Sequence, residues 1–194
     1  MAHYSEAQLD ALGELANIGS GTACTALAQM LGRPVDIKVP SVVALPLGEA
    51  IEAVGDPELP RTAVKLDIFG DLDGTVLLVF PLEDAAALCG MLGVDPDSEV
   101  GLSALGEIGN ILGTSYVNAL GQMIGMEVEP HPPVTTTDML GAIVSTVLLE
   151  RDDVGDTALM LDSAMFVEGE QCELSFLLVP SADGVADLLS RIGM

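Results

Sequence analysis

The chain repeats itself, and the repeat limits what it can fold into. Displaced by 93 residues, Asp10–Val35 falls on Ser103–Val128 with 12 of 26 positions identical, among them Gly13, Glu14, Asn17, Ile18 and Gly32. A repeat of this length implies two versions of one unit packed against each other. The remainder of each half follows the same order. A β-branched segment containing proline comes next, Val35–Pro40 and Val128–Pro133. Two strand-like runs follow in each half. In the first they are Ala63–Phe69 and Thr75–Phe80, around the turn Asp71-Leu-Asp-Gly74. In the second they are Thr157–Phe166 and Cys172–Val179, around Glu168-Gly169-Glu170. Glycine-containing turns between such runs predict hairpins. Pro81 and Pro180 then open closing helices, Leu82–Leu92 and Ala182–Ile192. The halves differ in between. Pro46–Val54 reads as a short helix before a proline-rich loop, whereas Thr136–Glu150 reads as a longer apolar helical stretch. The expected fold is therefore α+β, a single domain over residues 1–194 built of homologous halves, 5–95 and 98–194. Their hairpins share one largely antiparallel sheet with pseudo-two-fold symmetry, and the two long helices pack on one face.

Composition narrows the function. Thirty acidic residues against six basic ones give a net charge of −24. Two Lys and four Arg cannot form the cationic patch that phosphate backbones or anionic lipid surfaces require, so nucleic acid and membrane are excluded as partners. No stretch is long and apolar enough to predict a membrane span, and no secretory signal is expected at the N-terminus. Cys24, Cys89 and Cys172 are an odd number in apolar surroundings and read as reduced thiols of a cytoplasmic protein. Scattered acidity with few lysines suits a cytosol of high ionic strength, where salt screens self-repulsion. A halophilic source is the expectation; an acidic mesophile protein is the alternative.

The repeated element that carries chemistry is a polar residue, then Glu four residues on, then Asn three further. It occurs as Asp10, Glu14, Asn17 and as Ser103, Glu107, Asn110. These offsets put each trio on one helix face. Leu9, Leu12, Ala16, Ala23, Leu27 and Met30 form the apolar side of the first helix, so the trio points outward. Exposed Glu and Asn have no packing reason to recur in diverged halves, whereas core residues do. The helices are also rich in glycine (Gly13, Gly19, Gly21, and Gly106, Gly109, Gly113), at about 1 kcal/mol each relative to Ala. That predicts close helix packing or close approach of a partner.

Asp/Ser–x3–Glu–x2–Asn, followed about 22 residues later by Pro (Pro40; Pro132 and Pro133), resembles the CheC/CheX/FliY chemotaxis phosphatases. Length and two intact motifs point to the CheC branch, and the acidity to a halophilic archaeon. The resemblance implies hydrolysis of the aspartyl phosphate on the response regulator CheY. Glu14, Asn17, Glu107 and Asn110 would be the catalytic residues, with Asp10 and Ser103 orienting the interface. A carboxamide both donates and accepts hydrogen bonds, so each Asn can hold a water in line with phosphorus. Each Glu would contact a cation of the regulator, plausibly its active-site Lys. No cofactor is implied for this chain; Mg²⁺ is carried by the regulator. The resemblance further implies binding of the deamidase CheD, which enhances the activity, with Thr136–Glu150 as its surface if that stretch is not core. The rival expectation is a non-catalytic adaptor for CheD, and a third is a structural part of a motility switch.

Other motifs carry less. Gly19-Ser-Gly21 lacks the third glycine and the preceding strand of a dinucleotide fingerprint. Asp71-Leu-Asp-Gly74, set in a calcium-loop frame, places Phe69 and Phe80 where carboxylates are needed. His3 and His131 are too isolated for a metal site or triad.

Overall fold

The computed structural model describes residues 5–150 and 155–182, together with 184, 188 and 191. His3 lies outside them. In chain order the elements are α1 (Glu6–Leu31), β1 (Val35–Pro46), α2 (Leu47–Val54), β2 (Pro60–Gly70), β3 (Gly74–Pro81) and α3 (Leu82–Met91). The second half follows with α4 (Glu99–Ile124), β4 (Val128–Pro130), β5 (Val134–Met139), α5 (Leu140–Leu149), β6 (Thr157–Val167) and β7 (Glu170–Pro180). Of the expected closing helix Ala182–Ile192, only residues 182, 184, 188 and 191 are described, and all four are helical.

The repeat extends to the helix ends. Ser5 caps α1, its hydroxyl accepting from the Gln8 amide at 3.3 Å while Gln8 Oε1 accepts from the Ser5 amide at 2.8 Å. Ser98 occupies the same place before α4 and accepts from the Gly101 amide at 3.0 Å. Gly32 and Gly125, both at φ +65°, end the two helices in the left-handed conformation that only glycine adopts without strain. Matched start and stop signals explain why both helices run 26 residues.

All seven strands form one antiparallel sheet in the order β1-β6-β7-β3-β2-β4, with β5 also pairing β2. The hairpins β2–β3 and β6–β7 meet at the centre through β3 and β7, in register from Gly74↔Pro180 to Val79↔Ser175. The outer strands are exchanged. β1 of the first half pairs with β6 of the second, and β4 and β5 of the second pair with β2 of the first. The hairpin turns form as expected, and Glu168 (φ 52°) with Gly169 (φ 90°) supplies the two positive-φ residues of a tight right-twisting turn.

Three layers result. On one face α1, α3 and α4 close a core that includes Leu27, Ile108, Leu112, Val64, Leu78 and Phe80, each essentially without solvent exposure. On the other, α2 and α5 cover a smaller core of Ala50, Ala63, Leu140, Ile143 and Ala158. The central strand β3 is buried on both faces, which its unbroken apolar run Val76–Phe80 anticipates.

Two boundaries differ from the sequence reading. The segment Val35–Pro40 continues to Pro46, with a register irregularity between Lys38 and Ser41, where Pro40 has no amide to donate. Thr136–Glu150 is not helical throughout. Its first residues belong to β5, where β-branched Val134–Thr137 pair with β2, and the helix begins at Leu140. His131-Pro132-Pro133 separates β4 from β5.

Candidate functional site

Each motif sits in the first two-thirds of a long helix and faces away from the sheet. On α1 the buried side is Leu12, Leu15, Ala16, Gly19, Ser20, Ala23, Leu27 and Leu31, while Asp10, Glu14 and Asn17 are exposed. On α4, Ser103 and Glu107 are exposed and Asn110 is half-buried. Each trio lines one ridge, as the offsets predict. Among the described residues the side chains of Glu14, Asn17, Glu107 and Asn110 make no hydrogen bond or ion pair within the chain, so their polar atoms are available to a partner. The helix below each Asn is braced from behind: Ser20 Oγ donates to the Asn17 carbonyl at 2.8 Å, and Thr114 Oγ1 to the Asn110 carbonyl at 2.6 Å.

Several of the helix glycines serve close packing. A Cβ on Gly19 would meet Tyr116 Cα at 2.9 Å and Ser115 O at 3.0 Å, so this residue sets the close contact of α1 with α4. Gly109 and Gly113 seat α4 on the sheet, their absent Cβ positions lying 2.5 Å from Val64 Cγ1 and 3.0 Å from Leu66 Cδ1. Gly21 has no such reason; a Cβ there would meet nothing within 4 Å. Tyr116, wedged at the helix contact, stacks edge-on against Phe176 with ring centroids 4.9 Å apart, and burial pushes its hydroxyl pKa up to about 12.

The motifs lie on open helix surface, not in a cleft. A small apolar cavity of about 40 Å³ beneath α1, lined by Leu12, Leu15, Tyr116 and Phe176, belongs to the core. The cleft of about 470 Å³ between β4 and the end of α4 contains no motif residue. Side chains arranged in this way suit a reacting group brought in on another protein, not a small molecule that must be enclosed.

Residues 8–44 and 100–136 match the CheC-like family, and both motifs fall inside those spans. The chain is 32% identical to the CheY-P phosphatase CheC of Bacillus subtilis, over 97% of its own length and 95% of that protein's. It belongs to the CheC-like family. Among solved structures, this CheC-like chain resembles Thermotoga maritima FliY at a TM-score of 0.78 with 23% identity, covering 99% of this chain and 98% of that one. It also resembles the CheX–CheY–BeF3–Mg complex of Borrelia burgdorferi at 0.52 and 15% identity, covering 87% and 96%. These two likenesses bear on the fold: the α+β architecture with a shared antiparallel sheet is common to them.

The three cysteines are free thiols. Cys89 and Cys172 are buried and Cys24 is half-buried, and burial pushes all three upward in pKa. In α5, Leu140, Ile143, Val144 and Val147 are core, while Leu149 is 84% exposed. Within Ala142–Leu149, Ile143, Val144 and Val147 are turned inward, while Ser145, Thr146 and Leu149 are exposed. No helix among the described residues is long and apolar enough to cross a membrane.

One neighbour of the motif is not marked by its spacing. Ile18, directly after Asn17, is 57% exposed. The signal for something unusual there is a run without charge. From Leu15 to Gly32, and again from Ile108 to Met126, no side chain is ionised at neutral pH, in a chain of net charge −24.

Proposed function

We propose that this chain hydrolyses the aspartyl phosphate of a CheY-type response regulator, at two sites formed by Glu14 with Asn17 and Glu107 with Asn110. The observation that carries the reading is the pair of unengaged Glu/Asn trios on matching helix faces, in a chain aligned nearly end to end with a CheY-P phosphatase. The acyl phosphate is reactive, so the protein need only position a water. Asn accepts a hydrogen bond from that water through Oδ1, directing an oxygen lone pair at phosphorus, and its amide donates to a neighbouring oxygen. Glu holds a cation of the regulator, and the regulator supplies Mg²⁺. In-line attack forms the O–P bond, the Asp–phosphoryl bond breaks, and the proton leaves with inorganic phosphate. Asp10 and Ser103, one turn before each Glu, set docking register. CheD is included in the proposal as an enhancer, and a cytoplasmic location follows from its partners. The acidic surface supports a high-salt setting.

The deciding experiment is the lifetime of phosphorylated CheY at high salt, with and without this chain, and with CheD in a third arm. A shortened lifetime that reverts in the Asn17→Ala/Asn110→Ala double variant is expected, with that variant's unfolding midpoint unchanged. Undiminished activity in the double variant would remove the water-positioning role. No effect of the chain on lifetime, with binding demonstrated, would leave an adaptor.

A further inference from the structure

The two helices carry the same residue after the motif Asn but present it differently. Ile18 is 57% exposed, whereas its repeat partner Ile111 is half-buried and packs on the core. Asn17 is exposed and Asn110 half-buried. One turn further on, α1 has Gly21 with open space above it, and α4 has half-buried Thr114 bonded back to the Asn110 carbonyl. Ile18 and Gly21 lie four and seven residues beyond Glu14, so with Asn17 they form one continuous patch on the ridge.

An exposed isoleucine in a helix interior has an unfavourable contact with water that burial would relieve. Its position beside the motif is matched by the absence of charge from Leu15 to Gly32. Glu14 is paired with a cation of the regulator in the reading above, and beyond it no carboxylate follows on this helix through Gly32; one there would repel an anionic phosphoryl group by about 1 kcal/mol at 4 Å even in bulk water. Carboxylates are numerous elsewhere and missing from this run. The surface thus suits a partner that brings a negative group and an apolar rim together.

We propose that Ile18 is an apolar anchor for the phosphorylated regulator at the α1 site, seating against an apolar patch beside its phosphoaspartate. This rests on the phosphatase reading above. Ile18 is a positioning residue; it takes no part in the hydrolysis.

The test isolates the α1 site by Asn110→Ala and measures phosphate release against the concentration of phosphorylated regulator. Ile18→Ala should raise KM about 5-fold, the loss of roughly half an isoleucine's burial, and change kcat less than about twofold. Ile18→Leu should restore KM. Leu82→Ala, removing a 40%-exposed apolar residue from α3, should leave KM unmoved. An unchanged KM in Ile18→Ala, or an equal rise in Leu82→Ala, would overturn the anchor, as would a fall confined to kcat. If the unmodified chain stimulates no hydrolysis, the catalytic reading fails separately; if only the Asn110→Ala form is silent, hydrolysis belongs to the α4 site. The anchor is then judged by titrating beryllofluoride-loaded regulator: weaker binding to Ile18→Ala supports it, and equal binding overturns it.

Discussion

At the scale of single residues, the proposed chemistry draws on groups that fold stability does not need. Glu14 and Glu107 are exposed and unengaged, so Glu14→Gln with Glu107→Gln should weaken regulator binding while leaving the thermal midpoint within about 1 °C, read by titration and calorimetry. Asp84 behaves in the opposite way. Burial, reinforced by the charges of Glu173 and Glu83, raises its carboxyl pKa despite an amide hydrogen bond from Glu173. A carboxyl raised in the folded state binds more protons there than in the unfolded chain. Its contribution therefore falls as pH climbs through the carboxylate range, and Asp84→Asn should flatten that decline in a pH series of unfolding midpoints. A steeper decline would contradict the assigned sign. The Glu/Asn pairs were legible in the sequence because exposed polar residues recurred at one spacing. The exposure of Ile18 was not, since Ile111 has the same identity and repeat position yet packs on the core. Burial at that point depends on neighbouring elements, which a local pattern does not specify.

At the scale of elements, helix glycines serve packing at some positions and not at others, and substitution separates the two. Gly109→Ala would drive a Cβ to within 2.6 Å of Val64 Cβ and should cost about 1–3 kcal/mol. Gly21→Ala meets nothing within 4 Å and should stabilise the fold by about 1 kcal/mol through helix propensity. Denaturant titration of both variants checks the contrast; equal effects would undo it. The helices, both hairpins and the short α2 could be read from periodicity and turn residues. β5 could not be separated from α5, because only Asp138 and Met139 stand between Val134–Thr137 and the apolar Leu140–Leu149, and neither is a glycine or proline that would mark the boundary. Only pairing with β2 decides the matter.

At the scale of the whole molecule, a net charge of −24 on a chain of 194 residues is a stability term. Self-repulsion weakens as the Debye length shrinks to about 3 Å in molar salt. The unfolding midpoint and the phosphatase rate should both rise from low salt to molar KCl; a flat or falling response would remove the high-salt inference. The pseudo-two-fold sheet follows from the repeat, but its exchanged outer strands do not. Either hairpin could have paired with its own half's outer strand, and no local sequence signal distinguishes the two arrangements.

That exchange makes the order of the folding reaction a matter of covalent linkage. Each half alone would leave its hairpin without an outer neighbour and its first strand without a hairpin, two open edges that invite pairing with another chain. Joined, the halves complete one another within a single molecule, and melting should be one transition independent of protein concentration. Expressed separately as residues 1–96 and 97–194, neither should form the seven-stranded sheet when dilute, and mixing them should restore it with a midpoint that climbs as concentration rises. By the same reasoning, two copies of a half-length chain could assemble this sheet as a symmetric pair, and fusing them end to end would replace a dilution-sensitive encounter with an intramolecular one.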